Sequence, residues 1–180
     1  MKNAFILDLD GTLLDSMDAW SKVGTRFLAA QGKTNIPADL WDTIRPMSRL
    51  ESADYFISRW GIGLSREEIR AKLNGLMEHA YQHEVDLKEG ALEFLEKHSA
   101  KKMCIATNTD RHLVEFILKK LGIGQFFQFI ITTSEVQSGK HTPRIFLCAA
   151  EKLDVSVNEA VVFDDALHGI RSVNADGVKT

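Results

Sequence analysis

The sequence predicts an α/β fold in which a parallel β-sheet core is interrupted by an all-helical insertion. Two observations support this prediction. Four short apolar segments, each bounded by polar residues or glycine, alternate with helical patterns over much of the chain, whereas one long segment near the N-terminus has only a helical period. Because nearly continuous apolar runs are typical of parallel strands covered on both faces, we expect one buried sheet.

The predicted strands define the core. Their sequences are AFILDL (4–9), MCIAT (103–107), FQFIIT (127–132) and AVVFD (160–164). Helices are expected at 89–100, between Asp110 and Gly122, after Pro143, and at 166–176. Strands that alternate with helices in this way favour right-handed crossovers and a parallel sheet.

The segment from about residue 15 to residue 86 is predicted to be an insertion made of helices. Its apolar residues recur at helical spacing in three stripes: Trp20, Val23, Phe27 and Leu28; Tyr55, Phe56, Ile57 and Trp60; and Ile69, Leu73, Leu76, Met77 and Ala80. No alternating strand pattern interrupts them. We therefore expect a separate helical body between the first strand and the rest of the core.

The composition excludes several classes of function. The chain has 180 residues, 44% of them hydrophobic, which is enough for one sizeable core. A net charge of −3 without a basic stripe argues against nucleic acid as a partner, and no apolar run is long enough to cross a membrane. Cys104 and Cys148 are the only cysteines. We therefore expect a reducing, cytoplasmic setting.

Two aspartates end the first predicted strand. Asp8 and Asp10 are two residues apart, so they start on the same face. At about 5 Å two carboxylates repel by roughly 3 kcal/mol at an effective dielectric near 20. A divalent cation such as Mg²⁺ removes this repulsion, and Gly11 permits close backbone approach to an anion. A strand end that runs into an Asx-type turn is the alternative interpretation.

Three later segments add polar groups after the other predicted strands. Thr107 and Asn108 follow the second strand and can hydrogen-bond a phosphoryl oxygen. Lys140 follows the third strand in a Gly-Lys pair, and Asp164 and Asp165 end the fourth. The first two signals are weak alone, but a second pair of acids at the carboxyl edge of the same sheet indicates a cation site.

In this order the DLDGT, Thr-Asn, Gly-Lys and Phe-Asp-Asp segments, the last with a glycine four residues on, resemble the motifs of the haloacid dehalogenase (HAD) superfamily. The sequence is most similar to its phosphoglycolate-phosphatase and β-phosphoglucomutase-like group, in which a helical cap follows the first motif. The resemblance implies a Rossmann-like core at 1–14 and 87–180 and a cap at 15–86. It also implies a phosphatase that acts on a small phosphorylated metabolite.

The resemblance implies a division of labour among the acids. Asp8 would be the nucleophile that becomes an aspartyl phosphate, and Asp10 would be the general acid and base. Mg²⁺ would be bound by the carboxylates of Asp8 and Asp165 and by the backbone carbonyl of Asp10. Asp164 would mainly orient Lys140 or a metal-bound water.

The same resemblance implies a phosphate-binding set. Thr107 and Lys140 would hold phosphoryl oxygens, with backbone amides near Gly11 and Asn108 helping. In the cap, Arg49 would reach a distant phosphate of the substrate, and Arg45 is a second candidate. A solvent-facing arginine on a cap helix is an equally good interpretation of Arg49.

The chain departs from the pattern of the group in three places. Trp20 stands where the mutases of the group have histidine, which favours a hydrolase, although Trp20 also fits a place in the cap core. The third motif has His141 where proline is usual. The sequence stops at Thr180, where relatives continue into a further strand, so we expect a bare sheet edge beside strand 160–163 and either a monomer or a weak dimer.

Several alternatives remain open. A phosphomutase of the same superfamily would use the same acids, and a dehalogenase would use the nucleophile without the metal. From other classes, a phospho-accepting signalling module or a non-catalytic binding protein would also combine acids, threonine and lysine on a parallel sheet. Turnover of p-nitrophenyl phosphate with and without Mg²⁺ separates these possibilities.

Overall fold

The structure is a computed structural model that describes residues 3–45, 47–166 and 170. The chain divides into two compact units. We call Met1–Asp15 with Asp86–Thr180 the α/β unit and Ser16–Val85 the helical unit. Most of the helix expected at 166–176 lies outside the described residues, as does the chain end.

The α/β unit contains a four-stranded parallel sheet. Its strands are β1 (Ala4–Leu7), β2 (Lys102–Thr107), β3 (Ile130–Thr132) and β4 (Ala160–Phe163), in the order β3-β2-β1-β4. The register pairs Ala4 with both Lys102 and Ala160. The predicted α/β fold with a parallel sheet is confirmed, and β1 is an inner strand.

Three of the four strands are shorter than predicted, and of these β4 differs only in that it ends at Phe163 instead of residue 164. The first strand ends at Leu7 instead of residue 9, since the chain turns tightly: the N–H groups of Leu13 and Leu14 both donate to the Leu9 carbonyl. The third begins at Ile130 instead of residue 127, although the Gln128 N–H still donates to the Met103 carbonyl at 2.8 Å.

Helices connect the strands of the α/β unit. The longer ones are α5 (Ala91–Lys97), α6 (Arg111–Leu121) and α8 (Arg144–Lys152), and 3₁₀ turns occur at Gly124–Phe126 and Val157–Glu159. A four-residue helix, α7 (Thr133–Val136), was not predicted. Gly122 ends α6 in the left-handed conformation at φ 65°, as the sequence predicts. Ile145, Phe146 and Ala149 of α8 are buried against the sheet.

The helical unit is built from α1 (Met17–Ala30), α2 (Leu40–Ile44), α3 (Arg49–Trp60) and α4 (Arg66–His83). Capping boxes start α3 and α4: the hydroxyls of Ser48 and Ser65 accept from the N–H groups of Glu51 and Glu68. These reciprocal bonds satisfy backbone donors that the first turn of a helix leaves open. Both helices therefore begin at sharply defined residues.

The three predicted apolar stripes of the helical unit are buried to different extents. The first stripe is buried throughout, and the third is buried except for the half-buried Leu76. In the second stripe only Phe56 is buried, and Tyr55, Ile57 and Trp60 are half-buried. In the part of the chain that is described, no helix combines the length and apolar character needed to cross a membrane.

Candidate active site

The candidate site lies at the carboxyl edge of the three strands β2, β1 and β4. Asp8 follows β1 directly, Thr107 is the last residue of β2, and Asp164 and Asp165 follow β4. Because these strands are parallel and adjacent, their carboxyl ends meet at one edge. The Asp8 N–H still donates to the Phe163 carbonyl at 2.8 Å, which fixes the start of the turn.

Lys140 is the buried cation of this edge. Only 3% of the residue is exposed, and its Nζ lies 2.5 Å from Asp8 Oδ1 and 2.9 Å from Asp164 Oδ2. Although burial opposes the charged form, the two neighbouring carboxylates raise the pKa of Lys140 above its usual value. Lys140 therefore stays protonated and joins the ends of β1 and β4.

The loop that carries Lys140 lies between α7 and α8 and lacks the proline expected at His141. A proline would restrain the backbone of this loop. Here a hydrogen bond between two hydroxyls restrains it in part, since Ser138 Oγ and Thr142 Oγ1 are 2.6 Å apart. The Thr142 N–H also donates to the Gly139 carbonyl at 3.2 Å. These local bonds close a turn around Lys140 and direct its side chain into the site.

Asp8 has an unusual protonation equilibrium. Burial raises its pKa to about 7, and the negative charges of Asp164 and Asp10 act in the same direction. Lys140 opposes these effects through its charge and hydrogen bond. Asp8 is therefore a carboxylate whose charge depends on a nearby cation, and a second cation would favour its ionised form further.

Three carboxylates form the acidic group of the site. Ligand oxygens from Asp8, Asp164 and Asp165 all lie within 4.8 Å of one another. Hard oxygen donors at this separation suit Mg²⁺, which binds oxygen ligands at about 2.1 Å and retains water molecules. This group of side chains includes Asp164 but not the Asp10 side chain. The Asp10 backbone carbonyl stays the predicted third ligand beside Asp8 and Asp165.

The turn after Asp10 has the conformation that glycine permits. Gly11 adopts φ 80°, and its N–H donates to the Leu14 carbonyl at 3.0 Å, so that amide is already engaged within the turn. The Thr12 hydroxyl accepts a hydrogen bond from the Asp165 N–H at 3.1 Å. Thr12 thus connects the first acidic segment to the last.

The segment after β2 carries two of the predicted phosphate-binding residues. Thr107 is buried, and its Oγ1 accepts from the Thr109 N–H at 3.1 Å. Asn108 Oδ1 is buried and has no hydrogen-bond partner among the residues that the structure describes. Thr109 was not predicted as a site residue, yet its hydroxyl donates to Asp10 Oδ2 at 2.7 Å. Sequence patterns could not reveal this bond because the two residues are distant in the chain.

Arg49 and Trp20 belong to the helical unit. The Arg49 guanidinium carbon lies 4.1 Å from the centroid of the Trp20 ring, a cation–π contact. Trp20 is buried and packs edge-on against Tyr81, as expected for a core aromatic residue. Arg45, the second candidate, directly follows α2. The role of either arginine in substrate binding stays a prediction.

The parallel sheet with helices between its strands defines the class of protein, an α/β protein with its candidate site at the carboxyl ends of the strands. The chain belongs to the haloacid dehalogenase-like hydrolase family, whose sequence model matches residues 2–175. The resemblance expected from the four motifs is thereby confirmed.

Similar proteins agree with this assignment. The phosphorylated carbohydrates phosphatase of Thermotoga maritima is 25% identical over 178 residues, which cover 98% of this chain and 82% of that protein. The fructose-1-phosphate phosphatase YqaB of Escherichia coli is 25% identical over 177 residues, or 96% and 92% of the two chains. The predicted enzyme class, a phosphoric monoester hydrolase of this family, agrees with these names.

A solved structure supports the fold. The chain aligns with CbbY from Rhodobacter sphaeroides in complex with phosphate, with a TM-score of 0.87 and 21% sequence identity. The alignment covers 99% of this chain and 84% of CbbY. The architecture is therefore shared at low sequence identity.

Proposed function

We propose that the protein is a Mg²⁺-dependent phosphatase that hydrolyses a small phosphorylated metabolite through an aspartyl phosphate on Asp8. The observation that carries this proposal is the group formed by the buried Asp8 and Lys140, the partly buried Asp164 and the exposed Asp165. Three carboxylates and one ammonium leave an excess of negative charge, which one divalent cation would balance. Transfer of a phosphoryl group to a nucleophile requires positive charges nearby that neutralise the phosphoryl oxygens, and Lys140 with a divalent cation would supply them.

The chemistry of the proposal takes place in two steps. In the first, an oxygen of Asp8 attacks phosphorus, the ester P–O bond breaks, and the acid form of Asp10 gives its proton to the leaving oxygen. In the second, water attacks the aspartyl phosphate and gives a proton to the Asp10 carboxylate. The bond between phosphorus and Asp8 then breaks, which releases inorganic phosphate and restores the enzyme.

The other residues bind and orient. Lys140 keeps its positive charge next to Asp8 and can neutralise a phosphoryl oxygen. The Thr107 hydroxyl lies at the end of the neighbouring strand and can donate to the same group, as can the Asn108 side-chain amide. Asp8 and Asp165 would hold Mg²⁺ together with the Asp10 carbonyl, and Asp164 would bind it or orient Lys140. When bound, Mg²⁺ supplies charge neutralisation for the phosphoryl oxygens.

The substrate class is proposed from the relatives. Both curated relatives described above are named for phosphorylated sugars or carbohydrates, so a sugar phosphate is the first class to test. Arg49 is the predicted contact to a more distant part of such a substrate. A cytoplasmic location and a monomeric or weakly dimeric state stay predictions from the sequence.

Phosphate release tests the proposal directly. Purified protein is assayed with p-nitrophenyl phosphate and with a panel of fructose 1-phosphate, glucose 6-phosphate and glycerol 3-phosphate, with Mg²⁺ or with EDTA. We expect turnover only with Mg²⁺. Asp8→Asn should reduce kcat by about 10³-fold or more, because removal of a nucleophile costs at least that much in other covalent hydrolases.

The matched control is Asp154→Asn, the same change at an exposed aspartate. Asp154 precedes β4 and therefore lies at the opposite edge of the sheet, and asparagine tolerates its positive φ of 53°. Turnover of this variant should equal that of the wild type. Phosphate release that is independent of both Mg²⁺ and Asp8 would refute the proposal, and conversion of glucose 1-phosphate to glucose 6-phosphate without phosphate release would indicate a mutase.

A further inference from the structure

Thr109 makes a direct contact with the proposed acid and base that the motif pattern does not explain. Its hydroxyl donates to Asp10 Oδ2 at 2.7 Å, although the two residues are 99 positions apart. This distance is typical of a strong hydrogen bond from a hydroxyl to a carboxylate. The contact links the segment after β2 to the turn after β1.

Thr109 is itself firmly held. It is 2% exposed, and its backbone N–H donates to the Thr107 hydroxyl at 3.1 Å. Thr107 ends β2, and α6 begins at Arg111, so Thr109 lies between two regular elements. The hydroxyl that reaches Asp10 therefore has a backbone fixed by the sheet on one side and by a helix on the other.

We propose that Thr109 is a positioning residue that fixes the orientation of the Asp10 carboxylate for proton transfer. This proposal rests on the proposed phosphatase function. The terminal torsion of an aspartate side chain is broad and poorly restrained by its own rotamer preferences. A proton-transfer group must lie within hydrogen-bond reach of the reacting oxygen, and small misplacements reduce the rate strongly. The Thr109 bond restrains the carboxylate through one of its oxygens.

If Thr109 positions Asp10, its loss should affect substrates differently according to their leaving groups, which a purely structural role would not do. Asp10 protonates the leaving oxygen in the first step, so its orientation matters most when the leaving group is a poor one. An alkoxide from a sugar needs that proton, whereas p-nitrophenolate leaves readily without it. Loss of the Thr109 hydroxyl should therefore reduce kcat/KM for a sugar phosphate much more than for p-nitrophenyl phosphate.

The experiment compares Thr109→Val, which removes the hydroxyl at nearly constant volume, with Thr109→Ser, which keeps it. The control is Thr133→Val, the same change at a threonine that is 5% exposed and begins α7. Each variant is assayed with Mg²⁺ on p-nitrophenyl phosphate and on whichever sugar phosphate of the panel the wild type hydrolyses fastest. Thermal melting checks the folding of each variant.

For Thr109→Val we expect kcat/KM to fall about 10-fold or more on the sugar phosphate, a part of the 10²–10⁴-fold that general acid–base catalysis contributes. The loss on p-nitrophenyl phosphate should stay within about threefold, and Thr109→Ser should recover most of the sugar-phosphate activity. If valine prevents folding, Thr109→Ala carries the same expectation.

Equal losses on the two substrates, or no loss on the sugar phosphate, would overturn the role of Thr109 and leave the phosphatase proposal intact. A Thr109→Ser variant as impaired as Thr109→Val would also overturn it, because the hydroxyl would then not be the active feature. A wild-type protein without Mg²⁺-dependent turnover on any substrate would overturn the phosphatase proposal and this inference together.

Discussion

Lys140 supplies the positive charge that offsets the carboxylates of Asp8 and Asp164. Its ammonium group contacts one carboxylate from the end of β1 and one from the end of β4, and the environment is almost fully buried. A buried ion pair adds little net stability compared with apolar residues, but removal of one partner leaves an uncompensated charge. We therefore expect Lys140 to contribute to the stability of the folded state as well as to the proposed chemistry.

We expect Lys140→Met to lower the free energy of unfolding by about 3–5 kcal/mol, because Asp8 and Asp164 would lose their buried cation. Equilibrium unfolding in urea without Mg²⁺ measures this change. The control is Lys22→Met, which breaks an exposed ion pair with Asp18 and should cost no more than about 1 kcal/mol. Equal costs at the two lysines would show that the buried group is not held by Lys140.

Among the elements, α1 and α4 each contain a glycine in mid-helix, but the two glycines have different surroundings. A Cβ at Gly24 of α1 would lie 2.8 Å from Ile44 Cδ1 and 3.3 Å from Leu40 Cδ2. A Cβ at Gly75 of α4 would have no heavy atom within 4 Å. Gly24 therefore permits close approach of α2, whereas Gly75 only weakens its helix.

Gly75→Ala is expected to stabilise the protein by about 0.5–1 kcal/mol, because alanine is the better helix former and nothing obstructs its methyl group. Gly24→Ala should stabilise less or destabilise, since Ile44 and Leu40 must move to admit the same methyl group. Urea unfolding of both variants against the wild type provides the comparison. A larger gain at Gly24 than at Gly75 would contradict the packing described for α1.

Elements with long periodic patterns were predictable, and features set by distant contacts were not. The strand positions followed from apolar runs, but β1 ends early because residues 9–14 fold into a hydrogen-bonded turn. Helix α7 has only four residues, too few to produce a period. Tyr55 and Trp60 follow the helical spacing, yet their burial depends on where neighbouring helices lie.

In the candidate site, too, the residues of local motifs were predictable and the contacts between distant residues were not. Asp8, Thr107, Lys140 and Asp165 could be named from four local motifs, and the structure places them at one sheet edge. The bonds that organise them, such as Thr109 with Asp10 and Thr12 with the Asp165 N–H, join residues from separate motifs. No spacing within a single segment encodes such a pair, so sequence patterns alone missed Thr109.

For the molecule as a whole, the strand order determines how cation binding and folding are coupled. The acidic group takes one aspartate from the end of β1 and two from the end of β4, strands that pair directly. These carboxylates come together only in the folded sheet. A cation that binds them therefore binds the native state in preference to the unfolded chain.

We expect Mg²⁺ to raise the melting temperature, since a ligand at about 100 times its Kd adds about 2.7 kcal/mol to the stability of the native state. Asp165→Asn should greatly reduce this shift, because it removes a carboxylate that is proposed to bind the cation. Differential scanning fluorimetry with increasing Mg²⁺ measures it, and Asp154→Asn serves again as the exposed control. An unchanged shift in Asp165→Asn would place the cation elsewhere.

The inner position of β1 also matters while the chain is being made. Ala4 pairs with Lys102 on one side and with Ala160 on the other, so β1 is translated well before either of its partner strands. At about 5–20 residues per second the apolar β1 segment waits for seconds before either partner emerges. Asp8 is thus synthesised well before the residues of β2 and β4 that lie beside it, and its surroundings are complete only after β4 has been translated.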